Sequence, residues 1–212
     1  MNILAEKKLW KQGYKLVAGI DEAGRGPLAG PVVAGAVLVL SDNLGKELFA
    51  LIKDSKQLSE KQRQAAYDML IKEPNIIFGI GKVNEKEIDK INIFQATKLA
   101  MKKAVDDLIK KTNKHPDCLI IDGKHKINMD VEQKPIIKAD TKIFSCSAAS
   151  IIAKVTRDKL MDKFHKQYPE YGFAQHKGYG TKLHFAMLKK HGACKIHRKT
   201  FAPIKYISIS AS

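Results

Sequence analysis

Short apolar runs alternate with polar and glycine-rich segments along the chain, which is the pattern of a protein built from strands and helices. Runs rich in Val, Ile and Leu predict buried strands. The predicted strands cover residues 14–20, 32–40, 76–83, 118–121 and 135–138. The first two are joined by a wide glycine-rich loop, and they predict an antiparallel hairpin.

Helical periodicity fills the segments between and after these strands. Ser59 and Gln62 form a capping-box motif that starts a helix to about residue 72. A short helical turn is expected at 85–89 and a long amphipathic helix at 92–111. The remaining predicted helices cover residues 147–167 and 181–190. This order of elements predicts an α/β fold, with a mixed central sheet flanked by helices and a small C-terminal helical extension.

Carboxylates follow three of the predicted strands. Asp21 and Glu22 come after the first, Asp122 after the fourth and Asp140 after the fifth. Functional groups gather at strand ends along one edge of an α/β sheet, and clustered carboxylates stay ionised there when a cation lies between them. Mg2+ binds carboxylate and phosphate oxygens, so the pattern points to a metal-dependent enzyme acting on phosphodiesters. Each acid taken alone fits better as a cap of the turn after its strand, and only the four together favour a site.

The loop after the first strand carries Gly24, Arg25 and Gly26. Two glycines allow close approach of the backbone to a ligand, so bare N–H and C=O groups can meet a sugar hydroxyl while Arg25 meets a phosphate. A dinucleotide-binding loop is disfavoured, because a strand rather than a helix is predicted after Pro31. Tyr179, between two glycines, fits either stacking on a sugar or base or packing at the foot of a helix.

Near the C-terminus, His191, Cys194 and His197 have the spacing of metal ligands. A fourth ligand is missing and the segment is basic, so solvated or phosphate-facing histidines are favoured over a zinc site.

Composition narrows the expected partners and compartment. The 212 residues include 38 Lys+Arg and 22 Asp+Glu, for a net charge of +16, which favours a nucleic-acid partner. Three widely spaced cysteines fit a reducing compartment. Neither a signal peptide nor a membrane-spanning run is visible. We therefore expect a soluble, cytoplasmic protein with no membrane association.

Two other classes of protein remain open on the residues alone. A non-catalytic basic RNA-binding protein would explain the charge but gives no reason for acids at strand ends. A different two-metal nuclease, such as a resolvase or an exonuclease, would explain the acids but leaves the loop from Gly24 to Gly26 without a role.

The segment AGIDEAGRGPLAGPV at 18–32 closely resembles the signature of the ribonuclease HII family, the bacterial type 2 ribonucleases H. Further segments resemble later blocks of that family in the same order: DSKQLS at 54–59, LIIDG at 119–123, KAD at 138–140, SAASIIAKVTRD at 147–158, YGF at 171–173, HKGY at 176–179 and HR at 197–198. The match extends over about residues 17–204. One departure is Ala139, where many bacterial members have Gly.

The resemblance implies a ribonuclease H-like fold, with a catalytic domain over 1–167 and a basic C-terminal helical extension over 168–212 that completes the substrate groove. It also implies an endonuclease that hydrolyses the RNA strand of RNA–DNA hybrids. Such an enzyme incises 5′ of single ribonucleotides embedded in duplex DNA and leaves 3′-hydroxyl and 5′-phosphate ends.

The resemblance further implies roles for individual residues. The family's metal-binding catalytic acids fall on Asp21, Glu22, Asp122 and Asp140. Its substrate-binding residues fall on Gly24, Arg25 and Gly26, which read the ribose 2′-hydroxyl, on Tyr179, which stacks on the next deoxyribose, and on Lys56. The expected cofactor is Mg2+ or Mn2+, with no organic cofactor. The expected partners are RNA–DNA hybrid and ribonucleotide-containing DNA, bound by a monomer.

Overall fold

A five-stranded mixed sheet with helices on both faces forms the centre of the computed structural model, which describes residues 3–52 and 58–207. The strands are β1 (Val17–Ala23), β2 (Val32–Val39), β3 (Ile76–Val83), β4 (Cys118–Asp122) and β5 (Glu132–Ile136). The helices are α1 (Leu4–Lys11), α2 (Lys46–Ile52), α3 (Glu60–Leu70), α4 (Glu85–Thr112), α5 (Phe144–Gln167), α6 (Phe173–His176) and α7 (Lys182–His191). The predicted α/β class is confirmed.

The central strand of the sheet is β1, and the strand order is β3-β2-β1-β4-β5. β2 pairs antiparallel with β1 and with β3, which confirms the predicted hairpin. β4 pairs parallel with β1 and with β5. Because parallel strands share a direction, β1, β4 and β5 all end at the same edge of the sheet.

One long helix covers each face of the sheet. α4 packs on the face that carries Ile20 and Leu38, whereas α5 packs on the face that carries Val37 and Val39. Successive strand residues point to opposite faces, so all eight residues of β2 are buried between the two layers. The sheet is therefore packed between α4 and α5, and this packing fixes the positions of the residues where β1, β4 and β5 end.

Glycines allow the helices to lie close to the strands. A Cβ on Gly19 would come 2.4 Å from the backbone carbon of Ser145, and one on Gly81 would come 1.9 Å from the carbonyl oxygen of Ala100. Real side-chain carbons do not approach so closely, so a larger residue would push α5 or α4 away from the sheet. The position of α5 against β1 matters because α5 supplies side chains to the site.

Two strands differ from their predicted bounds. β1 continues to Ala23, so Asp21 and Glu22 lie within the strand and pair with Gly35 and Ala34 of β2. β5 covers 132–136 instead of 135–138, because it is an edge strand, where polar residues and a proline are tolerated.

The predicted helices are present with small shifts of their ends. The Ser59 capping box forms, with both of its hydrogen bonds. The turn predicted at 85–89 and the helix at 92–111 are the two parts of α4, separated by a kink at Asn92 (φ 64°, ψ 164°). The Asn92 side chain accepts a hydrogen bond from the Gln95 N–H at 3.1 Å and so caps the second part. The structure adds α1, α2 and the short α6, which the pattern did not predict.

After α5 the chain builds a second apolar cluster against the glycine-rich loop. Phe173, Leu188 and Ile196 pack there with Leu28 and Ala29 of the loop. The backbones are also joined: the Leu28 N–H donates to the Gly178 carbonyl at 2.8 Å, and the Gly30 N–H donates to the Ile196 carbonyl at 2.9 Å. The loop between β1 and β2 is thus fixed by residues more than a hundred positions later in the chain.

The helices and the cysteines bear on the membrane and redox expectations. Within the described ranges, none of the helices combines the length and apolarity needed to cross a bilayer. The three cysteines, Cys118, Cys146 and Cys194, are buried and free.

Candidate active site

Three aspartates meet at the sheet edge where β1, β4 and β5 end. Carboxylate oxygens of Asp21, Asp122 and Asp140 lie within 4.8 Å of one another. Asp21 belongs to β1 and Asp122 ends β4, and the parallel register that pairs Ile20 with Ile121 places them side by side. Within the described chain this is the single cluster of His, Cys, Asp or Glu side chains with metal-ligand spacing.

Asp140 reaches the cluster from a short 3-10 helix (Ala139–Thr141), not from the end of a strand as the pattern predicted. The chain turns there because Lys138 adopts a left-handed conformation (φ 58°). Asp122 Oδ1 then accepts a hydrogen bond from the Ala139 N–H at 2.6 Å. Asp122 therefore fixes the position of the backbone segment that carries Asp140.

Glu22 lies beside the cluster but outside the group of three. Neighbouring residues of a strand point to opposite faces, so Asp21 faces α5 and Glu22 faces away from it. Glu22 Oε1 accepts a hydrogen bond from Arg25 Nη1 at 3.1 Å. Its Oε2 is buried and has no hydrogen-bonding partner among the described residues. A buried carboxylate oxygen without a donor is an available ligand for a cation.

Burial and mutual repulsion disfavour charge on these carboxylates. Burial and then the neighbouring charge of Glu22 raise the pKa of Asp21 well above its usual range, with a further contribution from Asp122. A hydrogen bond with the Ser150 side chain acts in the opposite direction. Burial also raises the pKa of Glu22, although Arg25 counteracts it. The donor set therefore fits a divalent cation, whose charge would offset both the burial and the repulsion.

A cleft of about 400 Å³ opens next to the acids. Glu22 forms part of its wall together with Gly24, Arg25, Gly26 and Tyr179, so four of the predicted substrate-binding residues share one cavity. Tyr179 is 43% exposed. Lys56, also predicted to bind substrate, lies outside the described residues.

Three further polar residues line this cleft and were missed in the sequence: Arg63, Ser150 and Lys154. Lys154 Nζ lies 2.7 Å from Asp158 Oδ1 and 5.9 Å from the centre of the Tyr179 ring. Ser150 and Lys154 are four residues apart on α5, and that spacing was the available signal, because it places both on one side of the helix. Arg63 lies one turn after the start of α3, and nothing in the sequence around it indicated a site residue.

His197 is buried and His191 is half-buried, so the expectation of a solvated or phosphate-facing side chain was wrong for His197. The Cys194 N–H donates to His197 Nδ1 at 2.9 Å, which leaves the His197 proton on Nε2. That nitrogen lies 3.0 Å from His184 Nε2, and His184 Nδ1 in turn donates to the Tyr179 carbonyl at 2.9 Å. His197 thus points its two nitrogens at different partners, and no zinc-like group forms among the described residues.

We expect this neutral histidine pair to make the protein sensitive to acid. Burial lowers the pKa of His184 to about 4, and burial together with His184 lowers the pKa of His197 to about 4. The unfolded chain binds protons at an ordinary pKa near 6.5, so the stabilisation from the pair is present above pH 6.5 and is lost as the pH falls toward 4. At neutral pH, His184→Gln should lower the free energy of unfolding by about 2 kcal/mol, because it disturbs the two hydrogen bonds of this buried side chain, to the Tyr179 carbonyl and to His197 Nε2.

Urea unfolding of the wild type and His184→Gln at several pH values checks this expectation. The difference between them should shrink between pH 6.5 and 4, and contributions from the acidic cluster cancel in that difference. A difference that stays constant with pH would contradict the assignment.

The fold and the acidic cluster together define a ribonuclease H-type nuclease. The family model for ribonuclease HII matches residues 18–204. A ribonuclease HII of Chlamydia caviae is 49% identical over 202 residues, which cover 95% of this chain and 91% of that protein. The chain belongs to the ribonuclease HII family, the type 2 ribonucleases H, which are metal-dependent hydrolases of RNA–DNA substrates.

Solved structures agree with this placement. The crystal structure of ribonuclease H2 from Pyrococcus horikoshii superposes with a TM-score of 0.69 and is 29% identical, covering 90% of this chain and 96% of that one. The crystal structure of Bst-RNase HIII in complex with Mn2+ has a TM-score of 0.71 at 18% identity, covers 90% of this chain and 68% of that one, and shows the same fold. The expected ribonuclease H-like fold is confirmed.

Proposed function

We propose that this protein is an endonuclease that hydrolyses the RNA strand of RNA–DNA hybrids and incises 5′ of single ribonucleotides in duplex DNA, leaving 3′-hydroxyl and 5′-phosphate ends. The observation that carries the proposal is the junction of the acidic cluster with the cleft lined by Gly24, Arg25 and Gly26. The acids can hold the metal ions needed for phosphodiester hydrolysis, and the loop beside them can contact a ribose.

Asp21, Glu22, Asp122 and Asp140 are proposed to hold Mg2+ or Mn2+. The three clustered aspartates and the unpartnered Glu22 Oε2 support this donor set, and Bst-RNase HIII carries Mn2+ on the same fold. When bound, the ions would activate a water for attack on phosphorus and stabilise the leaving oxygen. Ser150 and Ala139, which hydrogen-bond Asp21 and Asp122, keep those carboxylates oriented.

The cleft residues are proposed to select the substrate. Gly24 and Gly26 leave the backbone bare enough to contact the ribose 2′-hydroxyl, and Arg25 is 53% exposed at its side chain and can reach a phosphate. Tyr179 is proposed to stack on the adjacent deoxyribose. Lys56 is proposed to contact the substrate as well, from its resemblance to the family alone.

The cationic wall and the C-terminal segment are proposed to hold the duplex. Arg63 and Lys154 line the same cleft as Glu22, and the whole chain carries a charge of +16. We propose residues 1–167 as the catalytic domain and 168–212 as the extension that completes the groove, supported by the presence of Tyr179 in the cleft. A monomer without an organic cofactor suffices for this arrangement, and three free, buried cysteines support a cytoplasmic location.

The test is cleavage of a DNA duplex carrying one ribonucleotide, beside an all-DNA duplex, with and without Mg2+ or Mn2+. We expect metal-dependent incision 5′ of the ribonucleotide and an intact all-DNA control. Cutting of both duplexes would instead identify a general nuclease of this fold. Binding of the duplex without cutting of either would favour a non-catalytic nucleic-acid-binding protein.

We expect Tyr179→Ala to lower kcat/KM on the single-ribonucleotide duplex by about tenfold, the effect of one lost stacking contact. The melting temperature should change little, because Tyr179 is exposed and lies outside the apolar clusters. Tyr206→Ala is the matched control, since Tyr206 is 76% exposed and lies outside the cleft. Equal kinetics of both variants would assign Tyr179 to packing alone.

A further inference from the structure

Two fully buried arginines hold the glycine-rich loop entirely through its backbone carbonyls. Arg198 donates from Nη2 to the Gly24 carbonyl at 2.5 Å, from Nη1 to the Arg25 carbonyl at 2.8 Å and from Nε to the Gly30 carbonyl at 3.0 Å. The side chain has 0% exposure, so all of this takes place away from solvent. By sequence, Arg198 falls within the basic C-terminal extension that the family resemblance places at the substrate groove.

The second arginine, Arg157 of α5, holds the other half of the loop. It donates from Nε to the Pro31 carbonyl at 3.0 Å, from Nη2 to the Ala29 carbonyl at 3.1 Å and from Nη1 to the Lys177 carbonyl at 2.9 Å. Its side chain is also fully buried. Among residues 3–52 and 58–207, no ion pair joins either guanidinium to a carboxylate. Both groups are committed to backbone carbonyls.

The orientation of the carbonyls decides the orientation of the next amides. In a trans peptide the C=O and N–H bonds point in opposite directions, and the bonds from Gly24 to Gly26 are trans. Since Arg198 draws the Gly24 and Arg25 carbonyls inward, the N–H groups of Arg25 and Gly26 point the other way. Neither N–H donates to another group in the described chain, and both residues line the cleft.

We propose that Arg198 is a positioning residue for ribose discrimination: it presents the Arg25 and Gly26 N–H groups to the substrate by binding the two preceding carbonyls. The inference rests on the proposed reading of the 2′-hydroxyl by this loop. A hydroxyl oxygen accepts a hydrogen bond and the hydrogen of a deoxyribose does not, so two fixed donors distinguish the two sugars. Arg198 acts on the substrate only through the loop.

The test measures binding in EDTA, where cleavage is absent, by fluorescence anisotropy. Two duplexes are compared, one with a single ribonucleotide and one of DNA alone. The discrimination ratio is the Kd of the all-DNA duplex divided by the Kd of the ribonucleotide-containing duplex. Arg198→Lys keeps the charge, but a compact ammonium group cannot reproduce the planar arrangement of donors to three carbonyls. We expect its ratio to fall about tenfold, the effect of one to two lost hydrogen bonds, with the all-DNA Kd nearly unchanged.

Two control variants separate positioning from general stability. Arg157→Lys alters an equally buried arginine that also binds three carbonyls, but not those of Gly24 and Arg25. It should lower the melting temperature as Arg198→Lys does while retaining most of the discrimination. Lys199→Met removes an exposed charge next to Arg198 and should leave the ratio unchanged. If Arg198→Lys does not fold, Arg198→Gln replaces it, because the amide keeps two N–H donors.

The outcomes distinguish the inference from the function on which it rests. A wild-type protein that binds both duplexes equally overturns the proposed ribose reading and the inference with it. A wild type that discriminates, with Arg198→Lys discriminating equally well, overturns the role of Arg198 alone. Equal losses of discrimination in the Arg198 and Arg157 variants would make both arginines general supports of the fold.

Discussion

Asp21→Asn is expected to reduce cleavage about 10³-fold or more while leaving the affinity for RNA–DNA hybrid nearly unchanged. Asp21 shares the cluster with Asp122 and Asp140, and an amide is a much weaker ligand for a hard cation than a carboxylate. Loss of several kcal/mol of transition-state stabilisation corresponds to that factor. Single-turnover cleavage and hybrid binding in EDTA measure the two quantities.

The same substitution should raise the melting temperature of the metal-free protein. Burial and the charges of Glu22 and Asp122 oppose ionisation of Asp21, so a neutral side chain of the same shape removes an unfavourable charge. Asp130→Asn is the matched control, because Asp130 is exposed and should show neither effect. Retained turnover in Asp21→Asn would remove Asp21 from the catalytic set.

Much of the fold was predictable because its signals are local. β-branched runs mark β2 and β3, and the capping box at Ser59 marks the start of α3. In that motif the side chains of Ser59 and Gln62 each accept a hydrogen bond from the other's backbone N–H, so the signal lies within four residues. The edge strand β5 was misplaced because burial, the signal of a strand, is weak at the margin of a sheet.

The site was predictable only in part, because its geometry depends on contacts between distant segments. Asp21 and Asp122 could be predicted to lie side by side, because β1 and β4 end at the same edge of the sheet. The position of Asp140 depends on a left-handed Lys138 and on the hydrogen bond from Ala139 to Asp122, for which no local pattern exists.

Buried polar side chains were the main source of error. Arg198 and His197 stand in a strongly basic segment, where a residue-by-residue reading places them at the surface. Both are fully or almost fully buried because loop carbonyls and a second histidine provide their partners. These partners lie between 13 and 174 positions away, so composition could not identify them.

The two glycines of the Gly-Arg-Gly element are expected to fail in different ways when replaced by alanine. Gly24 has φ +94°, and a Cβ there would lie 2.0 Å from Arg157 Nε and 2.8 Å from the Pro31 carbonyl oxygen. Gly24→Ala should therefore lower the free energy of unfolding by about 2–4 kcal/mol and displace the loop. At Gly26 the nearest atom to a Cβ would be Tyr179 Cε1 at 3.8 Å, an ordinary contact.

Gly26→Ala should thus fold with an unchanged melting temperature. It should nevertheless lose about 10²-fold in kcat/KM, because its methyl group would lie in the cleft where the sugar must approach. A displacement of the substrate by about 1 Å has a cost of that size. Thermal melts and steady-state cleavage of the single-ribonucleotide duplex separate the two variants. Gly45→Ala is the control, since a Cβ there meets nothing within 4 Å. Wild-type kinetics in Gly26→Ala would place the sugar elsewhere, whereas a strong loss of stability would mean that Gly26, like Gly24, is required by the fold itself.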